Sequence, residues 1–359
     1  MNLDELVSLP DFERAAASML PRMAFDYFAA GSGSEAALRR NIDAFERVML
    51  RYRVLRGVGR PDTSVELLGR RHSLPVLIAP TAFMRLAHPD GEPAVARAAA
   101  ACGVTQGLST LSTTRLEEVA AAAPGPKWFQ LYVFRDRDLT ASLAQRAEAA
   151  GYEALVVTVD APVLGTREAD VRNRFSLPEG LLPANLLDAA PTEVRAAGEA
   201  SGLQQYFAAN IDPTLTWADI DWLRSITRLP VLVKGIVRGD DAAEALAHGV
   251  RGIVVSNHGG RQLEAAPAGI EAVREVAAAV GGRVPVLLDG GVRRGVDVLR
   301  AIACGADAVL IGRPVLWGLT VGGEAGVRRV LDILRAEVDQ AMALCGCRTL
   351  AEVDADLLG

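Results

Sequence analysis

The sequence predicts a (β/α)8 barrel preceded by a helical extension. Eight short runs rich in Val, Ile and Leu recur along its 359 residues, as expected of strands buried on both faces of a parallel sheet. A helical pattern follows each run, and strand then helix repeated eight times specifies a closed barrel. Polar residues and glycines gather where the runs end, and the C-terminal edge of barrel strands is where chemistry sits.

The runs fall at 74–80, 104–109, 128–133, 154–160, 230–234, 252–256, 285–289 and 308–312. Pro75, Pro230 and Pro285 each open one, where a missing N–H is tolerated. Ahead of them, residues 3–41 carry helical periodicity interrupted at Pro10, Pro21 and Gly31, with a serine cap after Gly31 opening the next helix. Residues 51–71 read as an irregular connection with a short β excursion. Thr114 to Glu117 spells a capping box for the second barrel helix. The fifth helix runs over 240–248 to Gly249 and the seventh over 295–304 to Gly305. The connection at 162–213 far exceeds the usual few residues. It holds loosely helical pieces at 181–187 and 192–207, and at the catalytic face such length marks a candidate lid. The expected organisation is one domain over 1–359, with 1–73 as extension and 162–213 as candidate lid.

Composition narrows the function. A net charge of −6 with mixed signs argues against a nucleic-acid partner. No apolar run approaches a membrane span, and the acidic start lacks the basic region of a secretory signal. The final residues carry no peroxisomal tripeptide. Cys102, Cys304, Cys345 and Cys347 are too few for a disulfide scaffold and lack zinc spacing. A cytoplasmic enzyme without a metal is expected.

The ends of the runs supply a polar ring. In chain order it holds Pro80, Thr81 and Ala82, then Ser109, then Gln130 and Tyr132, then Thr158 and Asp160. Lys234 follows, then Ser256, His258 and Arg261, then Asp289, Gly290, Gly291 and Arg293, and last Gly312 and Arg313. Such a ring is hard to explain as stability, since each unpaired buried polar group costs about 1–3 kcal/mol. Gly290 and Gly291 open backbone N–H groups to an anion, and Arg293 and Arg313 add charge. The loops after strands seven and eight are the usual phosphate site of barrels. Ser109, Gln130 and Thr158 can donate to and accept from a heteroaromatic ring edge, and Lys234 can face a ring that becomes negative on reduction. No Gly-x-Gly-x-x-Gly follows a strand to hold a pyrophosphate, so the set suits flavin mononucleotide (FMN) better than a dinucleotide.

Of four histidines, His248 sits at a helix end, His72 lies on the wrong face, and His88 stands beside Pro89 at a helix start. His258 is left as the base candidate, and Asp160 could accept its other ring hydrogen. Arg167 and Arg261 offer two guanidinium forks to a carboxylate. Tyr27 suits a core or a site equally.

Several segments carry a resemblance. They are Pro80-Thr81-Ala82, Phe129-Gln130-Leu131-Tyr132, Thr158-Val159-Asp160, Arg167-Glu168-Ala169-Asp170 and Val233-Lys234-Gly235. Further on come Ser256-Asn257-His258-Gly259-Gly260-Arg261-Gln262-Leu263, Asp289-Gly290-Gly291-Val292-Arg293 and Ile311-Gly312-Arg313-Pro314. In these the chain resembles the FMN-dependent L-2-hydroxy acid oxidases and dehydrogenases, in the family's order and over nearly its whole length. The resemblance implies that His258 takes the substrate proton with Asp160 behind it. It implies that Arg261, Arg167 and Tyr27 hold the carboxylate and that Tyr132 contacts the hydroxyl or ketone oxygen. Lys234 would stabilise the reduced flavin. Pro80, Thr81 and Ala82 would line the flavin, with Ser109, Gln130, Thr158 and Ser256 adding contacts. Asp289 would reach the ribityl chain, and Gly291, Arg293, Gly312 and Arg313 the phosphate. A homotetramer is also implied.

One position departs. Glycolate oxidase has Trp two residues beyond the position of Ser109, where this chain has Leu111. A smaller side chain widens the pocket roof and favours a longer aliphatic or aromatic 2-hydroxy acid over glycolate. Ala82 resembles the oxidases. The implied reaction converts a 2-hydroxy acid and oxygen to a 2-keto acid and hydrogen peroxide. A dehydrogenase or decarboxylating monooxygenase is the alternative, and a non-catalytic phosphate-ligand-binding barrel the remote one.

Overall fold

Alternation along the strands decides what fills the barrel and what crowns it. The structure is a computed structural model that describes residues 2–187, 194 and 201–359. A hairpin, β1 (Val65–Leu67) and β2 (Arg70–His72), precedes eight strands. These are β3 (Val76–Ile78), β4 (Gln106–Leu108), β5 (Lys127–Leu131), β6 (Ala154–Thr158), β7 (Val231–Ile236), β8 (Ile253–Val255), β9 (Val286–Asp289) and β10 (Ala308–Ile311). They close a parallel barrel in chain order, with Ile311 of β10 opposite Ile78 of β3. All eight predicted runs become strands, with ends displaced by a residue or a few.

Successive side chains on a strand face opposite sides. One set, including Ile78, Phe129, Leu155, Val157, Val233 and Val255, packs outward against the helices. The other forms an interior cluster of Leu77, Trp128, Ala154, Val156, Leu232, Val254, Leu287 and Leu310, closed at the N-terminal end by Leu67 of the hairpin. Two residues beyond Trp128, Val156, Leu232, Val254 and Leu287 stand Gln130, Thr158, Lys234, Ser256 and Asp289. The period that buries an apolar barrel therefore ends in a polar layer at one edge.

Helices Gly91–Cys102, Leu116–Ala122, Arg137–Ala149, Trp217–Ile226, Gly239–Ala247, Gly269–Val280, Gly295–Ala303 and Arg313–Cys345 follow the eight strands. The expected capping box at Thr114 does not form. Thr114 Oγ1 instead donates to the buried Glu92 at 3.0 Å, and Arg115 takes the cap position without a capping hydrogen bond from its side chain. Glu92 also accepts from Thr113, so this loop is held by a buried carboxylate before its helix begins.

The extension contains helices Leu9–Met19, Arg22–Ala29 and Ala36–Glu46. Pro10 does not interrupt the first, because it lies in the opening turn where its missing N–H has no intrahelical partner to lose. The serine cap is also absent. Glu35 caps Ala36–Glu46 in a left-handed conformation, while Ser34 turns to Glu264. The extension is tied to the loop after β8. Asn41 and Asn257 exchange two hydrogen bonds of 2.8 Å, and Ser32 N donates to Gly260 O at 2.9 Å.

After β6 the long excursion contains helix Glu168–Arg172, a 3-10 turn Ala184–Leu186 and helix Gly202–Asn210. The piece expected at 181–187 shrinks to that turn. Half of the piece expected at 192–207 falls outside the described residues, and its described end lies in Gly202–Asn210. The excursion rejoins the barrel where Arg137 pairs with Asp212 at 2.7 Å and Asp219 at 2.8 Å. No helix among the described residues is long and apolar enough to cross a membrane.

The Asn41–Asn257 exchange yields a stability prediction. Asn41→Ala leaves Asn257 one partner for its amide and one for its carbonyl, so the loss should be about 1–3 kcal/mol. Urea unfolding of the two proteins checks it, and an unchanged midpoint would contradict it.

Candidate active site

A cavity of about 1050 Å³, counted to its open mouth, lies at the C-terminal edge of the barrel. Pro80, Thr81, Ala82, Ser109, Leu111, Gln130, Tyr132, Thr158, Arg167 and Lys234 line it. So do Tyr27, His258, Arg261, Asp289, Gly290, Gly291, Arg293, Gly312 and Arg313. Asp160 and Ser256 stand just behind this wall, each bonded to residues that form it.

His258 Nδ1 lies 2.9 Å from Asp160 Oδ1. The two come from the ends of β6 and β8, and β7 runs between them. Gly235 in β7 makes the crossing feasible. It has φ +116°, and a Cβ there would lie 2.5 Å from Asp160 Cβ. The register of β7 against β8 shifts at this residue. Lys234 and Gly235 thus have separate tasks. One side chain enters the cavity, and the missing one lets a carboxylate pass.

Ser256 ties two of these residues together. Its Oγ accepts from Lys234 Nζ at 3.0 Å and from the backbone N of His258 at 2.9 Å. It is fully buried beneath the wall and links cation to base. His258 itself has φ +60°, a left-handed backbone that costs a side-chain-bearing residue about 1–2 kcal/mol.

Burial lowers the His258 pKa, and Lys234 adds to this, while Asp160 opposes it without prevailing. Sequence alone left that sign open. Burial also works against the Asp160 charge, but His258 and Lys234 outweigh it and hold the carboxyl below its usual range. Lys234 is raised although burial opposes its charge, because Asp289, 3.3 Å away, and Asp160 dominate. Burial pushes the Tyr132 phenol well up, so Tyr132 is a hydroxyl donor at ordinary pH.

Arg261 passes over the Tyr27 ring at 5.2 Å, and Tyr27 stacks on Phe175 at 4.4 Å. Arg261 also donates to Ala30 O at 2.7 Å. Arg167 pairs with Asp170 at 3.5 Å, a partner the sequence reading did not single out. Burial and the neighbouring Arg167 bring the Arg261 pKa down to about 10. Burial, with Arg261 and Arg293 beside it, lowers Arg313 well below the usual arginine value.

Other lining residues were also missed. Leu164, Leu203 and Phe207 come from the excursion, and Phe207 meets Tyr132 edge-on at 5.1 Å. They join Leu111, only 2% exposed, in an apolar sector. Sequence periodicity marks them as core, and only the fold turns them towards the cavity. His72, by contrast, is buried against Thr105 at the start of β4, and His248 pairs with Asp221.

Comparison with known proteins identifies the family. The pattern of the FMN-dependent dehydrogenase family covers residues 16–359. The chain belongs to that family. An L-lactate oxidase from Nostoc sp. is 52% identical over 356 residues, covering 98% of each chain. A glycolate oxidase from Spinacia oleracea is 48% identical, covering 97% of this chain and 94% of its own. The crystal structure of a mandelate oxidase with (S)-4-hydroxymandelic acid superposes with a TM-score of 0.95 at 47% identity, over 99% of this chain and 98% of that one.

The residues of this family member fit an FMN. Five cations, Arg167, Lys234, Arg261, Arg293 and Arg313, line the cavity against one lining carboxylate, Asp289. Buried like charge is costly without anions, and a phosphate and a carboxylate supply them. Thr81 Oγ1 and Asp289 Oδ1 are buried without a hydrogen-bond partner, as groups meant for a ligand would be. Helix Arg313–Cys345 starts at Gly312 on the cavity wall, giving a helix N-terminus to a phosphate. Gln130 Nε2 donates to Thr158 Oγ1 at 3.0 Å, and its Oε1 accepts from Thr110 N at 3.1 Å, which fixes its amide for a ring edge.

A proton acceptor must be neutral, so the lowered His258 pKa sets a pH profile. Flavin reduction at low substrate, which reports the free enzyme, should rise with pH through one ionisation and then level. Its midpoint should lie below the ordinary imidazole value of about 6.5. Stopped-flow reduction across pH checks this, and a midpoint above that value would contradict the charge balance described here.

Proposed function

We propose that this protein oxidises an L-2-hydroxy acid with an apolar side chain to the 2-keto acid, using FMN and passing the electrons to oxygen as hydrogen peroxide. The observation that carries it is the Asp160-paired His258 in one cavity with the guanidinium groups of Arg167 and Arg261. The names of the relatives, lactate, glycolate and mandelate oxidases, support the substrate class and the acceptor.

Bound FMN supplies the acceptor for two electrons. Arg261 and Arg167 hold the substrate carboxylate, and the Tyr27 ring backs Arg261. Their forks fix the angle at which the substrate carbon is presented. The Tyr132 hydroxyl donates to the substrate oxygen. Neutral His258 takes the proton that the substrate loses, and Asp160 stabilises the imidazolium that forms. Lys234, charged through Asp289 and Asp160, offers its ammonium where negative charge develops. Pro80, Thr81 and Ala82 pack along the flavin, with Ser109, Gln130, Thr158 and Ser256 at its polar edge. Asp289 takes the ribityl chain. Gly290, Gly291, Arg293, Gly312 and Arg313 hold the phosphate. The same reading takes 1–359 as a single barrel domain with 162–213 as its lid, working as a cytoplasmic homotetramer.

The direct test mixes holoprotein anaerobically with a panel of L-2-hydroxy acids and then admits oxygen. Bleaching of the flavin followed by one peroxide per keto acid is expected. Slow reoxidation by oxygen would move the protein to the dehydrogenases, and loss of carbon dioxide to the monooxygenases.

The apolar sector gives a second test. Leu111→Trp fills the roof, so the ratio of kcat/KM for mandelate over lactate should fall about ten-fold or more. An unchanged ratio would remove Leu111 from the substrate side.

A further inference from the structure

Gln262 follows Arg261 in the loop after β8, and its side chain reaches the start of the excursion after β6. Its Nε2 donates to Asp160 O and to Val163 O, each at 2.8 Å. Its Oε1 accepts from Gly165 N at 2.8 Å. Two carbonyls face one end of the amide and an N–H faces the other, so its orientation is determined by its neighbours. Gly165 completes the contact. A Cβ there would lie 2.4 Å from Arg261 O and 2.8 Å from Gln262 Cα, so the two backbones touch where this residue lacks a side chain.

The residues tied in this way belong to the reaction. One tied carbonyl is that of Asp160, which pairs with His258. The tied N–H lies two residues before Arg167, whose charge lowers the pKa of Arg261. Two guanidinium groups this close repel each other until a carboxylate lies between them, and Asp170, whose charge favours both, makes its ion pair with Arg167 alone. Something must hold the first residues of the excursion against that repulsion.

We propose that Gln262 is a positioning residue, whose single amide sets Asp160 against His258 and Arg167 opposite Arg261. It touches neither substrate nor cofactor. It fixes the distance between the two forks and the alignment of the carboxylate behind the base. The proposal rests on the hydroxy acid reading above.

The test compares wild type with Gln262→Met, which keeps the length and loses all three bonds, and Gln262→Asn, whose amide is one methylene shorter. All are prepared as FMN-loaded protein. Three quantities are read: calorimetric affinity for oxalate, a carboxylate that is not oxidised, anaerobic flavin reduction against substrate concentration, and its pH profile. His258 is faced by Asp160 from β6, Lys234 from β7 and Arg167 from the excursion. Loosening Asp160 removes the one group that favours the imidazolium.

Gln262→Met should weaken oxalate and substrate binding about ten-fold, slow reduction by a similar factor and move the pH midpoint down, consistent with the sensitivity of such geometry to small displacements. Flavin content should stay near wild type, and Gln262→Asn should lie between the two. Should Gln262→Met fail to fold, Gln262→Asn carries the same comparison. Wild-type oxalate affinity and pH midpoint in either folded variant would overturn the proposal. If the wild type reduces its flavin with no hydroxy acid, the activity proposed above fails, while the oxalate affinities still judge Gln262.

Discussion

The contact between Asp160 and His258 is the constraint on which the site depends. It joins strands that are not neighbours, so it has to pass over β7. Three features of the chain serve that passage. Gly235 has no side chain in the way. The register shift at Gly235 re-aims the end of β7. Ser256, below, accepts from both Lys234 and the His258 backbone. The left-handed backbone of His258 follows, because its ring must turn back towards β6. The carboxylate then fixes the tautomer, leaving Nε2 as the free ring nitrogen.

Charge is the second organising quantity. A cavity wall with five cations and one carboxylate is poorly stabilised by itself, and the lowered pKa values of Arg261, Arg293 and Arg313 express that cost. A phosphate at one end and a carboxylate at the other remove it. Ligand binding thus draws on strain that the folded chain already holds. The carbonyl groups of Phe28 and Ala30, at the end of helix Arg22–Ala29, connect the two ends. Arg313 donates to both, and Arg261 donates to Ala30. The extension is therefore part of the site as well as a cover for the barrel.

Much of this was legible in the sequence, because a barrel strand writes its two faces in alternate letters. Trp128 then Gln130, or Leu232 then Lys234, announces both the interior and the edge that follows. His258, Asp160 and Arg261 were legible as a set because each directly follows an apolar run or its polar end. Asp170, Leu203 and Phe207 were not, and Tyr27 was legible only through the family resemblance. They reach the cavity from elements whose placement depends on tertiary contacts, and locally each reads as core or as a helical charge. The capping box at Thr114 failed for a related reason. A buried carboxylate, Glu92, outbid the helix terminus for the threonine hydroxyl. Ser256 was legible at this edge as well, but its bonds to Lys234 and to the His258 backbone needed the fold.

The central claim is that Asp160 acts through His258 and not independently of it. A double-mutant cycle on the rate of anaerobic flavin reduction measures this directly, with Asp160→Asn, His258→Asn and the pair together. His258→Asn should cost at least the ~10²-fold expected when a general base is removed. Asp160→Asn should cost less alone and almost nothing further once His258 is gone. Equal losses from Asp160→Asn in the presence and absence of His258 would mean that the carboxylate has a separate task and that the contact described here is not the axis of the site.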